Sequence, residues 1–201
     1  MYENFFKRFL DILLSGIALV FLSPTICLLM LVIKMDSKGN VLFKQKRVGI
    51  HKTYFTLYKF RTMQIDAPKN TPTHQLDNPS AYITRVGHFL RKTSLDELPQ
   101  LINILSGEMS IVGPRPALWN QDDLVAERDK YKANDVRPGL TGWAQINGRD
   151  ELPIVVKAKL DGKYVNELSF AMDVRCLVGT VKSVLRREGV VEGGTGQMEK
   201  R

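Results

Sequence analysis

Residues 12–33 read "ILLSGIALVFLSPTICLLMLVI", 22 uncharged positions between Asp11 and Lys34. As a straight helix they span roughly 33 Å, about the thickness of a bilayer's hydrocarbon core. The run is too long for the apolar region of a signal peptide, and no small-residue cleavage site follows it. Ser23-Pro24 falls in its middle, where an interior proline costs a helix about 3 kcal/mol or kinks it. Kinked spans exist, because Ser or Thr hydroxyls can satisfy the freed carbonyls. The flanks carry a second signal. Residues 34–61 hold eight Lys/Arg and one acid, which places that side in the cytoplasm. Lys7 and Arg8, offset by Glu3 and Asp11, point weakly to the same side. From charge and proline alone, a crossing helix and one that enters and returns are equally compatible.

The whole chain of 201 residues is long enough for one domain with a core and an appendage. Its 29 Lys+Arg against 21 Asp+Glu give a net charge of +8, which suggests an anionic partner. A nucleic acid would call for base-stacking aromatics among the basic residues or a known motif, and neither occurs. The two cysteines, Cys27 and Cys176, form no disulfide or metal pattern and read as small buried hydrophobes of a reducing compartment. His51, His74 and His88 lack metal-ligand spacing.

Beyond the apolar run, "VLFKQKRVG" and "YFTLYKFRTM" read as two strands joined by a short turn. Gln64 to Tyr82 is a polar, proline-bearing loop, and Ile83 to Lys92 a short amphipathic stretch. Residues 93–100, "TSLDELPQ", set Asp96 beside Glu97 at the mouth of an apolar helix bearing Leu95, Leu98, Leu101, Ile102 and Leu105. Ser94 with Glu97 fits a capping box, and Asp96 is itself a good N-cap. On a helical wheel the pair lies off the apolar stripe, where ligand or water reaches it. A cap and a chemical role both fit this octapeptide.

Several cations stand in constrained places. Arg115 is pinned between Pro114 and Pro116, which suits a guanidinium held to fork onto a phosphate or a base edge; a rigid turn with an incidental arginine is the plainer account. The segment "DVRPGLTGWAQINGRDE" holds Gly139, Gly142 and Gly148 with Arg137 and Arg149, a backbone free to approach something closely. Met172 to Glu188 is helical, with Leu177, Val178, Val181, Val184 and Leu185 on one side and Arg175, Lys182, Arg186 and Arg187 largely away from it. Core packing and docking on anionic lipid are its two readings. Dinucleotide, P-loop, nucleophile-elbow and Asp-x-Asp signatures are all missing.

In order along the chain stand Lys7-Arg8 and Asp11, Ser23-Pro24, "FKQKRVG" (43–49), "YKFRTM" (58–63), "SLDELPQ" (94–100), "VGPRP" (112–116), "RPG" (137–139) and "QINGR" (145–149). This succession resembles the monotopic phosphoglycosyl transferases of the bacterial sugar transferase family, in their minimal form, over about residues 2–190. The resemblance implies an α+β fold. A re-entrant membrane helix broken at Ser23-Pro24 (1–36) would precede a small cytoplasmic α/β catalytic domain with a β-hairpin and interfacial amphipathic helices (37–190). A flexible tail (191–201) would follow. It implies a monotopic protein of the bacterial inner membrane, its catalytic domain facing the cytoplasm.

The implied reaction moves a sugar 1-phosphate from a UDP-sugar to undecaprenyl or another polyprenyl phosphate in the cytoplasmic leaflet, releasing UMP and initiating a surface glycan. Asp96 matches the family nucleophile that forms an aspartyl phosphosugar, with Mg²⁺ expected to bridge Asp96 and phosphate. Glu97 would serve as a base toward the acceptor or orient the metal. Arg115 is the foremost candidate for holding the nucleotide, Lys59 and Arg61 for the phosphate path, and Arg91 for the second phosphate. Arg137 and Arg149 are further candidates. Lys7 and Arg8 would fix the helix at lipid head groups by snorkelling. The rival reading is a non-catalytic membrane-anchored scaffold with a basic face. The sugar is not legible, and a homo-oligomer is left open.

Overall fold

The computed structural model describes residues 2–68, 79–148 and 152–186. The chain opens with a π-helical turn (Tyr2–Phe6) that leads into helix α1 (Lys7–Asp36). Strands β1 (Leu42–Val48) and β2 (Tyr54–Phe60) follow, then helices α2 (Pro79–Tyr82), α3 (Arg85–Thr93) and α4 (Gln100–Ser106). Strand β3 (Ser110–Val112), helix α5 (Asp122–Asp129) and strand β4 (Gly139–Thr141) come next. Helices α6 (Trp143–Ile146), α7 (Ile154–Asn166) and α8 (Phe170–Arg186) complete the fold. It is a mixed helix and sheet architecture with two small sheets. Most of the expected 64–82 loop and all of the 191–201 tail lie outside the described residues.

Helix α1 runs without interruption through Ser23-Pro24, so the expected break does not occur as a gap in the helix. The reason is local. Pro24 has no N–H to offer the carbonyl four residues back, and the Ser23 hydroxyl donates to that same Val20 oxygen at 2.8 Å. One face of the helix packs on the rest of the protein along its whole length. Asp11 accepts from the Ile111 N–H at 2.9 Å near one end, and Leu29 and Ile33 pack with Phe60 and Leu90 near the other. Ala18, Leu19 and Leu22 fill the space between, against Phe55, Leu57, Leu101, Ile104 and Met109. The outer face leaves Phe9, Leu13, Val20, Phe21, Leu28, Leu31 and Met35 exposed. Cys27 lies uncovered there too, unlike Cys176, which is buried as expected.

Strands β1 and β2 form the expected antiparallel hairpin, Leu42 opposite Phe60 and Val48 opposite Tyr54, joined through a 3-10 turn at Ile50–Lys52. Strand alternation turns Phe55 and Leu57 into the core. Lys59 is next on that face, so a strand buried for apolar reasons also delivers an amine inward.

Strands β3 and β4 pair in parallel, Ser110 beside Gly139 and Val112 beside Thr141. Close approach requires glycine here. A Cβ on Gly139 would stand 2.1 Å from the Gly113 nitrogen, and one on Gly142 would stand 2.1 Å from the Gly113 oxygen. What the glycines of the "RPGLTG" segment approach is the backbone of "VGPRP". Beneath lie Val112, Tyr164, Met172 and Cys176. Helix α8 turns Met172, Asp173 and Cys176 inward and leaves Val174, Leu177, Val178 and Val181 exposed. For Leu177, Val178 and Val181 the core-packing account therefore fails: they face out, because α8 packs on Val112 of β3 through Met172 and Cys176. The side chains of Val184 and Leu185 lie outside the described residues.

Candidate active site

Ser94 ends α3 in the left-handed region, φ 57°, with its N–H on the Arg91 carbonyl at 3.2 Å. A serine there is strained relative to glycine. The conformation reverses the chain into a 3-10 turn, Leu95–Glu97, which directs both carboxylates into the body of the protein. Helix α4 begins only at Gln100, after Pro99, and no side chain caps it. The capping box is thus not formed: Ser94 reaches Glu97 through its backbone oxygen, not its hydroxyl. The dyad is also more enclosed than the helical wheel implied, Asp96 and Glu97 each being 9% exposed.

What surrounds the dyad is positive. Lys59 Nζ lies 2.7 Å from Glu97 Oε1 and 3.9 Å from Asp96 Oδ2. Arg115 Nη2 donates to the same Glu97 oxygen at 3.1 Å. Arg91 donates through Nε to Thr62 Oγ1 at 2.9 Å and lies near enough to favour the charged form of Asp96. Burial pushes the Asp96 pKa up, Glu97 adds to the rise, and Lys59, Arg91 and Arg115 oppose it. Burial likewise pushes Lys59 down, against the pull of Glu97 and Asp96. The outcome is a carboxylate under desolvation beside cations already placed to receive anionic oxygens.

Of the cations singled out from sequence, the structure brings Lys59, Arg91 and Arg115 to this dyad. Arg61 goes elsewhere: its guanidinium binds the carbonyls of Lys38 and Ser37 (2.7 Å to the latter) and closes the end of α1. Arg137 donates to the Gly107 carbonyl at 3.0 Å, at the far end of α4 from the dyad. Arg149 lies outside the described residues. The snorkelling expected of Lys7 and Arg8 gives way to internal contacts. Lys7 forms a buried pair with Asp173 at 2.6 Å, and Arg8 donates to the carbonyls of Ile104 and Leu105 at 2.6 and 2.8 Å, closing α4.

One supporting residue escaped sequence reading. Arg128 is 3% exposed, holds Asp161 Oδ2 through Nε and Nη2 at 2.8 and 2.6 Å, and donates through Nη1 to the Arg115 carbonyl at 2.9 Å. By composition residues 119–132 read as an exposed charged helix; the one available signal is that Arg128 lies four residues after the apolar Leu124, on the same helical face. Among the described residues no cluster of three or more acidic, His or Cys side chains stands ready for a metal. Two adjacent carboxylates nevertheless suit Mg²⁺, which commonly takes one or two protein carboxylates and completes its shell with water and substrate phosphate.

The family model for bacterial sugar transferases matches residues 2–187. The chain belongs to that family. This bacterial sugar transferase is 40% identical over 184 residues to EpsL of Bacillus subtilis, an uncharacterised sugar transferase, covering 92% of this chain and 89% of that one. It is 40% identical to the undecaprenyl-phosphate glucose phosphotransferase of Komagataeibacter xylinus, covering 88% of this chain and 35% of the relative. It is 39% identical to the UDP-glucose:undecaprenyl-phosphate glucose-1-phosphate transferase of Escherichia coli, at 87% and 39%. The sugar transferase thus spans most of EpsL and well under half of the two glucose transferases. Its described part holds one helix long and apolar enough to cross a membrane, α1.

Proposed function

We propose that this sugar transferase moves a sugar 1-phosphate from a UDP-sugar to a polyprenyl phosphate such as undecaprenyl phosphate, with release of UMP. The observation that carries the reading is the Asp96–Glu97 dyad, buried and ringed by Lys59, Arg91 and Arg115. Relatives named for undecaprenyl-phosphate and glucose-1-phosphate transfer support the same substrates. A non-catalytic scaffold has no use for a desolvated carboxylate pair among inward-facing cations.

In the first step an Asp96 carboxylate oxygen attacks the sugar-bearing phosphorus. The P–O bond to the UMP phosphate breaks, and UMP leaves with the bonding pair. In the second step a phosphate oxygen of the acceptor attacks that phosphorus, and the Asp96 oxygen departs as carboxylate. The product is a polyprenyl diphosphate sugar. Division into two displacements spares the enzyme from forcing two bound anions together in one event. Lys59 and Arg115 stabilise charge on the transferring and leaving phosphates from fixed positions. Glu97, held by both cations, orients them and receives the proton of a monoanionic acceptor. Asp96 and Glu97 would hold Mg²⁺, which would supply further neutralisation of phosphate charge.

The membrane arrangement we propose is monotopic, on the cytoplasmic side of the bacterial inner membrane. A helix tied at both ends to one globular body offers the bilayer its outer face and keeps both termini on one side. The exposed apolar residues of α8 offer a second surface to the bilayer, and α8 begins beside the start of α1, where Phe170 meets Tyr2 and Asp173 binds Lys7. Initiation of a surface polysaccharide or glycoconjugate is the pathway role this implies.

The deciding experiment is UMP release in nanodiscs with Mg²⁺, undecaprenyl phosphate and a panel of UDP-sugars. Release that disappears on chelation and in Asp96→Asn is expected. Equal release by Asp96→Asn refutes the nucleophile. Silence across the panel, from protein shown to be folded, removes the reading as it stands.

A further inference from the structure

Beside the dyad a second space opens. A pocket of about 220 Å³ begins at Glu97 and Arg115, passes Leu98, Leu101, Ile111, Leu140 and Ile146, and ends at Leu177, Thr180 and Ser183 of α8. Its walls are carbon for a physical reason. Thr141 and Thr180 spend their hydroxyls on each other at 2.5 Å, and Thr180 also reaches the Cys176 carbonyl at 2.7 Å, so neither needs a ligand to satisfy its oxygen. The Gln145 amide nitrogen is bound to the Leu140 carbonyl at 2.9 Å, which leaves its Oε1 buried on the wall without a partner. One end of the pocket is thus charged and phosphate-seeking, and the rest is mainly apolar, interrupted by that one amide oxygen and by Ser183. At its α8 end, Leu177 belongs both to the pocket wall and to the exposed row Val174, Leu177, Val178 and Val181.

We infer that this pocket seats the first isoprenoid units of the acceptor, with its phosphate at Arg115 and Lys59. The inference rests on the reaction proposed above and adds where the lipid lies. A UDP-sugar has a charged diphosphate flanked by hydroxyl-rich groups and gains little from carbon walls. A polyprenyl phosphate has one charged end and a chain without hydrogen-bonding atoms, which matches this polarity from end to end. The route fits the chemistry as well. Once UMP has left, the acceptor oxygen must approach phosphorus from the side UMP vacated, opposite Asp96. Both phosphates therefore use the same cations in turn, and only the chain needs a separate place. Continuity with the outer apolar row of α8 lets the chain enter from the bilayer without passing through water.

The test separates the two half-reactions. Exchange of labelled UMP into UDP-sugar, without acceptor, reports Asp96 chemistry; the KM for undecaprenyl phosphate in complete transfer reports the lipid site. Leu177→Trp and Ile146→Trp, which fill the pocket, are expected to raise that KM about tenfold or more while exchange continues. An unchanged acceptor KM with exchange intact overturns the inference. So does a raised KM for the UDP-sugar alone, which would make the pocket part of the donor site. Transfer without exchange in the unmodified enzyme overturns the covalent mechanism instead, and the acceptor KM still judges the pocket. A diazirine-bearing polyprenyl phosphate on the unmodified protein needs no substitution: labelling within residues 177–183 is expected, and labelling confined to α1 overturns the inference.

Discussion

Arg128 supports Arg115 from behind: its Nη1 donates to the Arg115 carbonyl at 2.9 Å while its other nitrogens hold Asp161. The pair is almost completely out of water, with side-chain exposures of 4% and 1%. Removing one partner leaves the other charged and unpaired, which costs about 3–5 kcal/mol in comparable buried pairs. Arg128→Met should therefore lower stability by about that amount in denaturant unfolding. Arg128→Met with Asp161→Leu should recover most of it, since no lone charge remains. The double variant should still show a raised KM for its phosphate substrates, because the Arg115 backbone has lost its holder. Full recovery of both stability and KM would make Arg128 a purely structural residue.

Lys59 reaches both carboxylates, 2.7 Å from Glu97 Oε1 and 3.9 Å from Asp96 Oδ2. Lys59→Met should lower kcat by about 100-fold, the usual scale for loss of one fixed charge-stabilising donor. Lys59→Arg should not restore it, because a planar fork cannot occupy the space of an ammonium 2.7 Å from Glu97. Single-turnover UMP release measures the first step directly.

The pH profile follows from two opposed shifts. Asp96 attacks only when ionised, and its pKa is raised above the ordinary 3.8, so activity should fall with decreasing pH at a value above that of a free carboxylate. Lys59 works only when protonated, and its pKa is lowered from 10.5, so activity should fall with increasing pH before a free lysine would titrate. A bell narrowed from both sides is expected for kcat/KM, its limbs belonging to the coupled cluster and not to single residues. A titration of the Asp96 carboxyl in protein without Mg²⁺ that showed no rise above 3.8 would contradict its burial, and bound Mg²⁺ should move the acid limb to lower pH.

At Val20 one carbonyl depends on one hydroxyl. Ser23→Ala removes the donor that stands in for the missing Pro24 N–H and should cost about 1 kcal/mol, with Ser23→Thr neutral. Pro24→Ala restores the backbone donor and should make Ser23→Ala harmless. Topology is read separately: cysteines placed before Tyr2 and at Lys38 should both be shielded from an impermeant reagent in intact cells and labelled after lysis. Opposite labelling of the two would establish a crossing helix.

Much of this protein was legible in one dimension. The apolar run, the β-hairpin and the dyad follow from patterns only a few residues long, in which hydrophobic period, proline and turn chemistry act locally. Lys59 and Arg115 could be nominated because motifs hold them, and Arg91 because it stands about a helical turn before the dyad. What the sequence could not decide is which of 29 basic side chains meets which oxygen. Arg61, two residues from Lys59, turns to the end of α1, while Arg128, in an unremarkable charged stretch, ends beneath the active site. The outward face of α8 was equally open, since an apolar stripe looks the same whether protein or bilayer is to cover it. Those choices are made by contacts between segments distant in the chain. Burial leaves each charge only the partner that packing brings within reach, and that partner exists only once the tertiary structure has formed.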